Sequence, residues 1–181
     1  MMTGTLLLHT QLILIRTSVP RGTLSKNFLT KGKYMKEIIT HSPEETIELG
    51  EKIGKRLKGG DMIAYVGGLG CGKTTITRGI SAGLGLGDNV YSPTFALVNE
   101  YRGRDISLVH FDMYRILSAD DLETTGFFDY ISDDSVIAVE WSENIKDELP
   151  DGAITISFER IDDNTRKIII DGDERFDDTF D

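Results

Sequence analysis

Short apolar runs alternate with segments of helical period along this chain, and glycine clusters separate them. Lys36–Thr40 predicts a short strand. Ser42-Pro43-Glu44-Glu45 predicts a helix start, with Ser42 as cap, Pro43 at the first helical position and Glu45 completing a capping box. Thr46, Leu49, Ile53 and Leu57 then recur at helical spacing and form one apolar stripe. Gly59-Gly60 predicts its end, because glycine accepts the left-handed turn beyond a helix terminus. Met62–Val66 reads as a buried strand, followed by a glycine-rich loop and a helix from about Lys73 to Leu84. Phe95–Tyr101 and Ile106–Phe111 read as strands around a polar turn at Gly103-Arg104-Asp105. Ala119–Thr125 reads as a short acidic helix stopped by Gly126, Val136–Glu140 as a buried strand, and Ser142–Leu149 as a helix ended by Pro150. Ile154–Phe158 and Lys167–Ile170 predict a closing hairpin around Asp163-Asn164. The order of elements predicts an α/β fold.

A length of 181 residues suits one domain. The boundaries read as an extension over 1–34, a domain over 35–171 and an acidic tail over 172–181 that is expected to fray. The extension holds five basic residues (Arg16, Arg21, Lys26, Lys31, Lys33) and no acidic one, so the net charge of −10 becomes −15 for the remainder. It lacks the basic start and small-residue cleavage site of a secretory signal, but passes for a transit peptide. The simpler reading, favoured here, is that Met35 is the true start, because recognisable domain grammar begins there. A domain this acidic repels nucleic acid over most of its surface. Its densest basic run, Lys52, Lys55, Arg56 and Lys58, reads as a solvated helix face. One cysteine excludes a disulfide framework, and three histidines without ligand spacing make no metal site. No apolar run reaches the length of a membrane-spanning helix.

The most specific signal is Gly67-Gly68-Leu69-Gly70-Cys71-Gly72-Lys73-Thr74, which fits G-x-x-x-x-G-K-[ST] with a buried strand before it and a helix after it. Glycines let successive backbone N–H groups turn inward onto polyphosphate oxygens, and the following helix adds its positive end. Lys73 supplies a mobile cation from an exposed, polar loop, and the Thr74 hydroxyl is a magnesium ligand by type. Cys71 is read as a small loop residue whose thiol could make nucleotide binding sensitive to thiol reagents.

In open α/β sheets, ligands sit beyond the carboxyl ends of strands. Two predicted strands end there in acids, Asp112 and Glu140. Glu140 follows the more apolar strand and is assigned to magnesium; Asp112 is assigned to positioning the attacking water or to sensing. The residue types allow the reverse assignment. Ser92-Pro93-Thr94-Phe95 lies between, and Thr94 is a hydroxyl on a constrained loop suited to sensing a γ-phosphate. His110 is expected to pack or hydrogen-bond structurally.

Taken in order, GGLGCGKTT (Gly67–Thr75), SPTF (Ser92–Phe95), HFDMYR (His110–Arg115) and Glu140-Trp141 resemble the TsaE (YjeE) family of P-loop ATPases, over about Met35 to Arg166. The resemblance implies a P-loop NTPase fold, three layers around a central mixed β-sheet. It implies a cytoplasmic ATPase in tRNA N6-threonylcarbamoyladenosine formation at position 37. It implies TsaB- and TsaD-like protein partners, tRNA touched only indirectly, and no membrane. ATP and Mg2+ are the implied cofactors. Carried onto matching positions, Gly68, Leu69, Gly70, Cys71, Gly72, Lys73, Thr74 and Thr75 hold the phosphates, while Thr74 and Glu140 hold magnesium. Asp112 and Trp141 belong to the active centre, and Glu143 and Arg166 lie in looser nucleotide-contact positions; the residue reading adds Lys73 to the catalytic set and Thr94 to the nucleotide contacts. Gly68 stands where the family often has an acid, and the extension has no family counterpart.

Three other readings stay open. A small-metabolite kinase would need an arginine-bearing lid, for which Arg102 and Arg104 are the nearest residues. A GTPase switch would need N-K-x-D, and Asn144-Ile145-Lys146-Asp147 has its lysine misplaced. A nucleotide-binding subunit without turnover is the non-enzyme case.

Overall fold

Seven strands pair into one mixed sheet in the computed structural model, which describes residues 34–172 and 174–179. Expectations for residues 1–33 lie outside the described residues. The strands are β1 (Tyr34–Thr40), β2 (Met62–Val66), β3 (Val98–Arg102), β4 (Ser107–Asp112), β5 (Ser135–Glu140), β6 (Ile154–Arg160) and β7 (Arg166–Gly172). Their spatial order is β1-β7-β6-β2-β5-β4-β3. The central run β6-β2-β5-β4 is parallel, and β1–β7, β6–β7 and β3–β4 are antiparallel. β5 is buried at every position, as expected of a strand covered on both faces.

Side-chain alternation divides the interior into two cores. Ile63, Tyr65, Leu108, Val136 and Ala138 face a cluster that includes Ile53, Ile76 and Ile80 of helices α1 (Pro43–Gly54) and α2 (Lys73–Gly83). Met62, Val109, Phe111, Ile137 and Val139 face the other, with Leu122 of α3 (Ala119–Thr124) and Phe127. This is the expected three-layer α/β arrangement.

The α1 start follows its sequence signals: the Ser42 hydroxyl accepts from Glu45 N–H, and the Glu45 carboxylate accepts from His41 N–H. Gly50 and Gly54 of α1 meet Gly79 and Gly83 of α2 backbone to backbone. A Cβ at Gly79 would stand 2.0 Å from the Ile47 carbonyl oxygen, and one at Gly50 would stand 2.3 Å from that of Ile76.

Several boundaries differ from expectation. α1 ends at Gly54, and Leu57 is buried from the turn beyond it. β3 begins at Val98 rather than Phe95, because Pro93 starts a turn in which its carbonyl accepts from Ala96 and Leu97 N–H. Phe95 is left 93% exposed. The segment after β5 is a 3-10 helix, Ser142–Glu148, kinked at Ile145. The tail differs most. A 3-10 turn over Glu174–Thr179 buries Phe176 in the α1–α2 core. Arg175 there makes a two-pronged ion pair with Asp61, at 2.9 and 3.1 Å.

Candidate functional site

The loop between β2 and α2 wraps where the motif requires it. Gly70 and Gly72 take left-handed angles (φ +70° and +117°), which residues with a Cβ rarely adopt. Gly72 caps α2 without a side chain, so the first-turn N–H groups of Lys73, Thr74 and Thr75 have no side-chain cap. Such an end attracts anions.

Lys73 is buried, which corrects the expectation of an exposed lysine. Its ammonium donates to the carbonyl oxygens of Gly67 and Gly68, both at 2.9 Å, and lies 3.8 Å from Glu140 Oε2. It also sits 5.0 Å from the ring centroid of Trp141. Trp141 itself has φ +57°, an uncommon value for a bulky residue, directly after Glu140.

Parallel pairing of β4 and β5 places Asp112 opposite Glu140 in register. Thr74 Oγ1 donates to Glu140 Oε1 at 3.1 Å, and His110 Nε2 lies 3.0 Å from the same oxygen. Thr94 Oγ1 donates to Asp112 Oδ2 at 2.8 Å, and the Tyr114 N–H donates to Oδ1 at 2.9 Å. Burial alone would push the Glu140 carboxyl up. His110, Lys73 and Thr74 together outweigh it and hold the group below the usual glutamate range. Burial dominates at Cys71, pushing its thiol up despite the nearby Lys73.

Lys73, Thr74, Thr94, Asp112, Tyr114, Glu140 and Trp141 line a cavity of about 470 Å³. Of the expected residues, Leu69, Gly70, Gly72, Lys73, Thr74, Thr75, Thr94, Asp112, Glu140, Trp141 and Arg166 line it. Gly68, Cys71 and Glu143 do not. Gly68 turns its carbonyl to Lys73, Cys71 is buried under the loop, and Glu143 is exposed on the 3-10 helix. Arg166 is held by the loop it approaches, donating from Nε to Cys71 O at 3.0 Å. Pro43 and Thr46 at the start of α1, Ser92, Tyr114, and Asp163-Asn164 at the β6–β7 hairpin tip complete the wall. In the sequence Pro43 signals only a helix start and Asp163-Asn164 only a turn. Arg102 and Arg104 line a separate cavity with Ser132 and Asp134. The Asn144 amide donates to Met113 O at 2.9 Å.

Among the described residues, no group of three or more His, Cys, Asp or Glu side chains is placed to hold a metal. The oxygen pair Thr74 and Glu140 nevertheless suits magnesium, which takes one or two protein ligands and fills its shell with water and phosphate oxygens. No helix of the described residues is long and apolar enough to cross a membrane.

Residues 40–168 match the family model described as threonylcarbamoyl adenosine biosynthesis protein TsaE. The chain belongs to the TsaE family. It is 33% identical over 132 residues to the tRNA threonylcarbamoyladenosine biosynthesis protein TsaE of Treponema pallidum, covering 73% of this chain and 97% of that one. The Aquifex aeolicus TsaE is 38% identical over 138 residues, covering 75% and 96%. The crystal structure of Bacillus subtilis YdiB superposes with a TM-score of 0.64 at 29% identity, covering 83% of this chain and 94% of that one. The P-loop NTPase-like fold expected of a TsaE member is therefore the fold observed.

Proposed function

We propose that this TsaE-family chain binds ATP and hydrolyses it slowly as an accessory protein of the tRNA N6-threonylcarbamoyladenosine machinery. It acts in the cytoplasm through TsaB- and TsaD-like partners and touches tRNA only through them. The observation that carries this reading is the pairing of Thr74 with Glu140 and of Thr94 with Asp112, both facing one cavity in front of the phosphate loop.

The α2 N-terminus binds phosphate oxygens through backbone N–H groups. Lys73 exchanges its two carbonyl partners for β- and γ-phosphate oxygens. Thr74 and Glu140 hold magnesium, which when bound offsets the charge of those phosphates. Asp112, oriented by Thr94 and the Tyr114 N–H, accepts a hydrogen bond from the attacking water and sets its line of approach. Leu69 and Tyr114 of the cavity wall stand exposed, as does Phe95 next to Thr94. An apolar rim there supports docking of a protein over the nucleotide. The −15 charge of the chain beyond residue 34 favours partners that carry the basic surface.

The kinase reading loses its lid arginines, because Arg102 and Arg104 face the other cavity. The guanine reading loses Asn144, whose amide is spent on Met113.

The test is phosphate release from ATP with and without the two partner proteins. Asp112→Ala and Glu140→Ala each lower partner-dependent release at least about a hundredfold, and Lys73→Ala weakens ATP binding by about ten- to a hundredfold. Hydrolysis that survives both acid changes sinks the site assignment. Phosphoryl transfer to a small metabolite would favour the kinase.

A further inference from the structure

His110 is fully buried on β4, on the sheet face that packs against α1 and α2. It pairs across the ladder with Ala138, so Glu140 is its diagonal neighbour on the same face. Its Nε2 reaches Glu140 Oε1 at 3.0 Å, and the Tyr65 ring stands edge-on to the imidazole with centroids 6.4 Å apart. An ionised carboxylate only accepts hydrogen bonds, so the imidazole proton lies on Nε2. Nδ1 has no hydrogen-bond partner among the described residues. This ring therefore has one polar engagement, and it is with Glu140.

Among the described residues three groups touch the Glu140 carboxylate, and they are not equivalent. Thr74 and Lys73 stand on the first turn of α2, and in the reading above both take on phosphate or metal contacts. His110 stands behind the carboxylate on a central strand whose ladder fixes its position. Its hydrogen bond joins two neighbouring strands and uses no atom of the phosphate loop.

We propose that His110 is the positioning residue of the magnesium centre. It holds Glu140 Oε1 beside the Thr74 hydroxyl, so that the carboxylate is already oriented when the cation and nucleotide arrive. The inference rests on the proposed magnesium role of Thr74 and Glu140 and adds a residue from outside the cavity wall. Outer groups that orient metal ligands tune affinity in this way.

The experiment compares wild type, His110→Leu and His110→Gln. Leucine removes the donor, and glutamine presents an N–H at nearly the same reach. Mn2+ affinity in the presence of ADP is read by electron paramagnetic resonance, and ADP affinity in excess chelator by fluorescence of a labelled nucleotide. His110→Leu is expected to weaken Mn2+ binding by about ten- to a hundredfold. Metal-free ADP affinity should stay within about twofold, and His110→Gln should recover most of the Mn2+ loss. Equal losses with and without metal, wild-type Mn2+ affinity in the leucine variant, or no recovery with glutamine each overturn the proposal.

A second measurement needs no variant and serves if leucine fails to fold. In histidine-labelled wild type, the His110 Nε2–H resonance is exchange-protected and shifts when Mg2+ joins the ADP complex. A resonance that ignores Mg2+ also overturns it. If wild type binds no Mn2+ with ADP, the magnesium reading of Thr74 and Glu140 falls first and takes this inference with it. If wild type binds Mn2+ and only the His110 outcomes fail, that reading stands and this one does not.

Discussion

Replacing Gly79 with alanine sets two physical rules against each other. Within a helix, alanine is favoured over glycine by about 1 kcal/mol, so a reading of α2 alone expects stabilisation. The packing expects the reverse. The new methyl would stand 2.0 Å from the Ile47 carbonyl oxygen, where ordinary contact begins at 3.4 Å. A backbone carbonyl cannot rotate away, so α1 must retreat from α2. The retreat loosens contacts among Leu49, Ile53, Ile76 and Ile80, and a gap of 0.5–1 Å already forfeits about a quarter to a half of each dispersion well. Overpacking costs about 1–3 kcal/mol, and a rigid obstacle argues for the upper end. Offset by the helix gain, the net loss is about 2 kcal/mol, or roughly 6 °C in Tm for a domain of this size. Urea unfolding read by circular dichroism, with Gly68→Ala as control, measures it. Nothing lies within 4 Å of a Cβ at Gly68, so that change should stay within about 0.5 kcal/mol. Gly50→Ala combined with Gly79→Ala should cost less than the sum, because one separation of the helices relieves both clashes. A Gly79→Ala protein as stable as wild type would refute the claim that these backbones touch.

The remaining predictions concern the tail, the loop thiol and the hairpin. Phe176→Ala should cost about 3–5 kcal/mol in the same urea assay, as for a filled core site; a change under about 1 kcal/mol would mean that the tail does not pack. Cys71 should react with a disulfide reagent at pH 8 at least about a hundredfold more slowly in the native protein than in urea, since it is buried and its thiol is pushed up. Equal rates would contradict that burial. Asp162 accepts from the Thr165 and Asn164 N–H groups, at 2.7 and 2.8 Å, and they hold its carboxyl below the usual aspartate range. Its support of the hairpin is therefore complete above about pH 4 and fades as pH falls through the lowered value. A carboxyl carbon NMR titration with an ordinary aspartate midpoint would rule this out.

Much of this architecture was legible before any coordinates. The capping box at Ser42, the apolar run Met62–Val66 and the all-buried β5 each obey one local rule, and each stands where that rule puts it. Both acids were legible because an apolar strand ending in a carboxylate is a local pattern. What escaped depends on distant partners. Pro43 and Asn164 reach the cavity only because α1 packs on α2 and because the β6–β7 hairpin folds over the loop. The glycines of α1 and α2 repeat at four-residue intervals in both helices, a signal open to reading but meaningful only when the two repeats face each other. Phe176 looked like part of a polar tail because its burial depends on contacts with the α1–α2 core. The sequence reads His110 as packing or hydrogen-bonding structurally, but that its partner is Glu140 follows from strand register, which single-strand periodicity does not contain.

The pairing of Asp112 with Glu140 makes the sheet a ruler. Neighbouring strands stand about 4.8 Å apart whatever their side chains, so the distance between the two acid-bearing backbones is fixed by ladder hydrogen bonds rather than by the loops around them. On the proposed reading, loop substitutions therefore retune partner choice or nucleotide exchange without detuning the spacing of the acids. The spacing has the opposite vulnerability. A slip of β4 against β5 would separate the acids while leaving every motif residue unchanged, and under the proposed function it would register first as lost turnover in a protein whose sequence still looks intact.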